Sequence, residues 1–102
     1  MEMKPCDLYC THADALNRSK IREMADEIRF NGDYLRDKWE PIKVYYCDGK
    51  YLILDGNHRT IAASKAGIKT LPVLECPNGN ELWTTEELKE ASKTSRQVLS
   101  ID

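Results

Sequence analysis

Apolar positions along this chain fall into a few regular spacings, and each spacing predicts an element. Ile21, Met24, Ala25 and Ile28 recur at i, i+3, i+4 and i+7 from Ser19 onward, which places them on one face of a helix. Lys20, Arg22, Glu23, Asp26 and Arg29 then face water, and Asn31-Gly32 offers the left-handed residue that commonly ends a helix. After a polar connection, Pro41 opens a strand over 42–47 in which Ile42, Val44 and Tyr46 alternate with Lys43, Tyr45 and Cys47. Asp48-Gly49 is a preferred type I′ pair, since both central residues must take positive φ. A second strand, 51–55, should therefore pair antiparallel with the first, and its Leu52-Ile53-Leu54 run is apolar on both faces.

Gly56 breaks that strand, and a helix from about Asn57 or His58 to Ala66 follows, with Ile61, Ala62 and Ala66 inward and Gly67 as its stop. Residues 70–76 form a third strand, which the short helical crossover should lay parallel to the second in a right-handed unit. Pro77-Asn78-Gly79-Asn80 is a turn. Thr84 and Glu87 make a capping box, with Trp83 placed to staple onto Leu88, so a helix from Thr85 to about Arg96 is expected. Val98 to Asp102 should fray. Ahead of the first helix, Thr11 and Asp14 offer a cap for a short turn carrying Ala13, Ala15 and Leu16, in an N-terminal segment (1–16) expected to be loosely attached to a single domain over 17–102.

These elements suit one small mixed sheet with helices against it, an α/β (α+β) fold, and a 102-residue chain has room for one core. Charged residues are 31% and hydrophobic residues 41% of the chain, a soluble globular balance. The formal charge is -2 and the pI about 5.7, which leaves no protein-wide positive field to draw the chain onto nucleic acid. Direct DNA binding by this chain alone is therefore disfavoured. No run approaches the roughly 20 apolar residues of a bilayer span, and the start leads into no signal-peptide core, so a cytoplasmic location is expected. Cys6, Cys10 and His12 form a loose Cys-x3-Cys-x-His cluster that lacks a second close pair for zinc. Cys6, Cys10, Cys47 and Cys76 are read as reduced thiols with no metal, the last two packed at strand ends.

The chemistry concentrates at Asp55-Gly56-Asn57-His58-Arg59-Thr60. A buried strand delivers the chain to a glycine and a helix starts at once, so the free N–H groups of its first turn face the end of the strand. The helix dipole adds partial positive charge there, and Gly56 lets an anion approach the backbone with no Cβ in the way. Arg59 adds a planar fork of donors and His58 a further donor. The bland readings are a capping or turn role for Asp55, an N-cap role for Asn57 and a solvated face for His58 and Arg59.

The order of helix, Pro-Ile-x-Val strand, Asp-Gly hairpin and Leu-Asp-Gly-Asn-His-Arg-Thr-Ile-Ala-Ala-Ser-Lys-Ala-Gly-Ile-Lys-Thr-Leu-Pro-Val resembles the ParB/sulfiredoxin-like superfamily over roughly residues 17–76. The resemblance implies a nucleotide-binding site at Asp55, Gly56, Asn57, His58, Arg59 and Thr60. Arg18 stands where many members place an Asn/Arg pair before the first helix. The implied ligand is a nucleoside triphosphate, ATP or CTP, with Mg2+ that Asp55 would ligate directly or through water. Sulfiredoxins carry Gly-Gly-Cys-His-Arg, and Asn57 occupies the place of the attacking cysteine. An amide is no nucleophile, so sulfiredoxin activity is not expected.

ParB partition proteins carry a Gly-Glu-Arg-Arg segment that contacts CTP, followed by a helix-turn-helix domain for which the roughly 26 residues after Cys76 leave no room. Similar free-serine kinases carry Asp-Gly-His-Thr-Arg and use an early glutamate, for which Glu23 and Glu27 are the candidates, although both fit equally as solvated helix residues. Trp39-Glu40-Pro41 is a candidate pocket rim. The expected function is nucleotide binding, with NTP hydrolysis or phosphotransfer left open. The alternative is a non-catalytic module that binds a partner protein or a DNA-associated complex.

Overall fold

In the computed structural model, residues 1–11, 16–31, 40–81 and 83–101 are described. Among them the chain runs β1 (Glu2–Met3), a 3-10 turn at Pro5–Asp7, β2 (Tyr9–Cys10), α1 (Arg18–Asn31), β3 (Ile42–Cys47) and β4 (Lys50–Asp55). It continues with α2 (Asn57–Lys65), β5 (Leu71–Glu75), α3 (Thr85–Thr94), β6 (Arg96–Gln97) and a 3-10 turn at Val98–Ser100. The strands make one mixed sheet in the order β1-β5-β3-β4-β2-β6.

The hairpin β3–β4 is antiparallel, from Lys43 opposite Asp55 to Cys47 opposite Lys50, and Asp48 and Gly49 both take positive φ as a type I′ turn requires. Leu52, Ile53 and Leu54 are buried because the sheet is covered on both faces. On one side, Ile21, Ala25 and Ile28 of α1 and Ile61, Ala62 and Ala63 of α2 pack against Ile42, Val44, Ile53, Leu71 and Val73. On the other, Leu88 of α3 packs with Cys47, Leu52 and Leu54, and Trp83, Tyr45 and Cys76 close over them. Tyr46 falls on the first side but past the edge of its core, half exposed against the Tyr51 ring at 4.9 Å. The capping box of α3 forms as expected, Thr84 accepting from the Glu87 amide and Glu87 from the Thr84 amide.

Three expectations are corrected. The third strand does not lie parallel to β4. It pairs with the outer edge of β3, parallel to it, with Ile42 opposite Val73. The other edge of β4 is occupied by β2, with Tyr9 opposite Leu52. With that edge taken, β5 runs parallel to β3 and so opposite to β4, and the crossover through α2 starts and ends at the same end of the sheet instead of returning along β4.

The N-terminal segment is not loose over residues 1–11. β1 pairs with β5, β2 pairs with β4 and β6, and Leu8 and Cys10 are fully buried. The C-terminus does not fray through residue 101 either, since α3 stops at Thr94 and the following chain turns back so that Val98 and Ile101 are buried and the Val98 amide donates to Leu8 C=O. The expected cap at Thr11/Asp14 and the Gly32 stop involve residues outside the described set. None of the four cysteines forms a disulfide; Cys10 and Cys47 are buried and Cys6 and Cys76 partly so. No described helix is long and apolar enough to cross a membrane.

The join between β4 and α2 has no loop, and Gly56 makes it with φ 103° and ψ 26°. A Cβ there would stand 2.7 Å from Ile42 Cδ1 and 3.1 Å from the Arg59 guanidinium. An L-residue in the left-handed region costs about 1–2 kcal/mol before any clash. Gly56→Ala is therefore expected to lower unfolding free energy by about 2 kcal/mol or more in urea titrations, whereas the same change at Gly49, with open space around its Cβ position, should cost only the backbone part.

Candidate functional site

Gly56 provides the α2 N-cap backbone position but no side-chain cap, so the amides of the first turn must look outside the helix for acceptors. The first intrahelical bond runs from the Thr60 amide to Gly56 C=O at 2.9 Å, and the Thr60 hydroxyl donates to the same carbonyl at 2.8 Å. Thr60 is buried, so its part is to hold the turn rather than to meet a ligand. Asn57 is not the N-cap. It is the first helical residue, only 9% exposed, and its side chain points toward β2: the Thr11 amide donates to Asn57 Oδ1 at 3.3 Å, and Asn57 Nδ2 lies 3.5 Å from Thr11 Oγ1.

His58 points the other way, to α1. Its Nε2 accepts a hydrogen bond from the Asn17 amide at 3.0 Å, so that nitrogen carries no proton and the neutral ring holds its proton on Nδ1. The donor expected of His58 is thus Nδ1–H. Burial first, and the nearby Lys20 ammonium second, hold its pKa below the ordinary 6.5. Arg59 is anchored rather than loose: its side chain is 21% exposed, Nη1 donates to Glu40 C=O at 3.3 Å, and Nη2 sits 4.0 Å from Asp55 Oδ2. Asp55 itself is exposed and forms no cap. Of the expected rim residues, Glu40 reaches the site through its carbonyl, while Trp39 lies outside the described residues.

These groups open onto a cleft of about 720 Å³. Three helix N-termini meet there. α2 contributes Gly56 to Arg59, α1 contributes Lys20 from its first turn, and the start of α3 contributes Glu87 of its capping box with Trp83 just before the Thr84 cap. Asn17 starts α1, accepting the Lys20 amide on Oδ1 at 3.0 Å and the Ile21 amide on its carbonyl at 3.1 Å. Partial positive charge from three helix ends thus adds to the Lys20 and Arg59 cations, with Asp55 and Glu87 as the facing carboxylates. Leu16, Met24, Leu54 and Trp83 give the cleft an apolar wall.

Lys20 escaped the sequence reading because its neighbours Arg22 and Glu23 face solvent, and the polar side of α1 looked uniform. Its place in the first turn after Asn17 was the available signal. Arg18 is exposed at the start of α1 and is not among the residues lining the cleft. Glu23 and Glu27 are likewise exposed and outside it. No group of three or more His, Cys, Asp or Glu side chains among the described residues is placed to hold a metal ion unaided.

Comparison with known proteins agrees with this architecture. No curated protein matches the sequence. The structure is similar to that of sulfiredoxin from Arabidopsis thaliana, with a TM-score of 0.59 and 24% identity over 90% of this chain and 94% of that one. It is also similar to the C-terminally truncated chromosome-partitioning protein ParB from Caulobacter crescentus, solved in complex with CTP-gamma-S, with a TM-score of 0.62 and 22% identity over 88% of this chain and 48% of that one. At these identities the two structures establish the ParB/sulfiredoxin-like fold. The ParB N-terminal domain profile matches residues 9–94, from β2 through the last residue of α3, and on that match the chain belongs to the ParB N-terminal domain family.

Proposed function

We propose that this protein binds a nucleoside triphosphate with its phosphates at the Gly56 turn. The observation that carries the reading is the convergence of three helix N-termini, Lys20 and Arg59 on one cleft. A polyphosphate supplies the concentrated negative charge that such donors complement, and the apolar wall of Leu16, Met24 and Trp83 suits a base or ribose. CTP and ATP are the first ligands to compare, since the similar ParB structure was solved with a CTP analogue.

Magnesium fits this donor set. It commonly uses one or two protein carboxylates together with phosphate oxygens and water, and Asp55 is an exposed carboxylate on the cleft. Its chemistry there would be to neutralise phosphate charge facing Asp55 and Glu87. Asn57 offers no nucleophile and is turned away toward Thr11, so the reading is one of binding; NTP hydrolysis or phosphotransfer is a separate question for turnover assays.

Titration calorimetry with CTP, ATP and GTP, with and without magnesium, tests the reading, and Arg59→Ala sharpens it. Loss of one charge-assisted phosphate contact, worth about 1.5–3 kcal/mol, should weaken binding about ten- to a hundredfold. The same change removes the bond to Glu40 C=O and should lower stability by only about 1 kcal/mol. Absence of binding at millimolar nucleotide, or equal binding by the variant, contradicts the assignment.

The His58 ring gives a second test. Its folded pKa is already depressed, so the neutral form contributes stability above the unfolded value of 6.5, and that stability is lost as pH falls below it. A bound polyphosphate favours the charged ring and should move the His58 midpoint upward, so binding takes up protons and is tighter near pH 6 than near pH 8. NMR titration of the imidazole, assigned with His58→Gln, reads the midpoint; a midpoint unmoved by saturating nucleotide would place His58 away from the phosphates.

A further inference from the structure

The first turn of α2 carries two side chains that border the cleft and also fasten that turn to neighbouring segments. Asn57 is buried and faces Thr11, and its orientation is set without ambiguity: the Thr11 N–H must meet an acceptor, which is Oδ1 at 3.3 Å, leaving Nδ2 toward Thr11 Oγ1 at 3.5 Å. Thr11 Oγ1 has already given its proton to Ile53 C=O at 2.7 Å, so its remaining lone pairs are what Nδ2 meets. A chain of three bonds thus links the end of β2, the β4 backbone two residues before Asp55, and the first residue of α2. One residue later, His58 Nε2 takes the Asn17 amide at 3.0 Å, and Asn17 in turn starts α1 one turn ahead of Lys20. Residues 11 and 17 are therefore each fastened to the same helical turn whose amides face the cleft.

We infer that Asn57 is a positioning residue that couples the N-terminal strand β2 to the anion-binding turn, so that the two order and loosen as one unit. The inference uses the nucleotide reading only for what occupies the cleft. Its physical basis is that the backbone of residues 57–59 cannot shift without breaking the Thr11 contacts, and β2 cannot lift from β4 without leaving the Asn57 amide buried and unpaired, a costly arrangement. The two-residue strand β2 has Tyr9 opposite Leu52 as its pairing with β4, beside its ladder to β6 and the buried Leu8 and Cys10. The Asn57 contacts add a direct tie from the end of that strand to the first turn of α2. Occupancy of the cleft should accordingly quieten β2, which touches no part of it.

Amide hydrogen exchange read by mass spectrometry tests this on the full chain without ligand. Thr11→Val keeps the shape and the backbone bond but removes the hydroxyl. It should speed exchange in peptides covering residues 8–11 and in those covering 55–60 together, by about five- to tenfold, the equivalent of one hydrogen bond. Asn57→Ala should do the same if it folds. Leu88→Ala, from the opposite face of the sheet, compared at matched global stability, should not single out those two segments. CTP affinity should fall by a similar factor in Thr11→Val. Faster exchange confined to residues 8–11, with 55–60 unchanged, overturns the coupling. Failure of wild type to bind CTP would instead count against the nucleotide reading, and the ligand-free exchange would still decide the coupling.

Discussion

A strand that turns into a helix within one residue is the constraint on which this structure depends. Gly56 makes that turn at φ 103°, with Ile42 Cδ1 packed where a Cβ would be. Both the amide and the hydroxyl of Thr60 close onto the Gly56 carbonyl. Because no loop intervenes, the three residues that follow are dealt to three different neighbours at successive helical angles: Asn57 to β2, His58 to the start of α1, and Arg59 to the Glu40 carbonyl and Asp55. The site is a set of backbone amides at the centre of that arrangement, braced from three sides by groups that also hold the fold together.

The elements legible in the sequence are those whose signals are local. α1 shows a helical period, β3 and β4 meet at Asp48-Gly49, α2 begins and ends at glycines, and α3 carries its own capping box. Each was readable because turn chemistry and periodicity act within a few residues. The strands β1, β2 and β6 span two residues each, too short to show an alternation, and they exist only because neighbours in space offer them an edge. The pairing of β5 with β3 instead of β4 likewise turns on which edges are open, since β2 occupies the far side of β4. Within the site, Gly56 and Arg59 were legible from type and spacing. The inward turn of Asn57 and the entry of Lys20 were not, since each depends on where a distant segment docks.

The electrostatics of the site oppose those of the whole chain. The protein carries a formal charge of -2, yet the cleft gathers Lys20, Arg59 and three helix N-termini. Local donors of this kind act within the first turn of each helix and over short distances, so a modest net charge elsewhere does not cancel them. Asp55 and Glu87 on the same cleft work against a bare polyanion and suit one whose charge is shared with a metal ion. On the nucleotide reading proposed above, that balance would favour a metal–nucleotide pair over inorganic phosphate alone.

The central claim is that the first-turn amides of α2 are the anion-binding groups. Backbone amide NMR during titration with magnesium CTP, and separately with magnesium triphosphate, measures it most directly. The account predicts that the amides of Asn57, His58 and Arg59 shift furthest with both ligands, while that of Phe30, exposed at the far end of α1, stays in place. Shifts centred away from residues 56–59, or none at millimolar ligand, would contradict it.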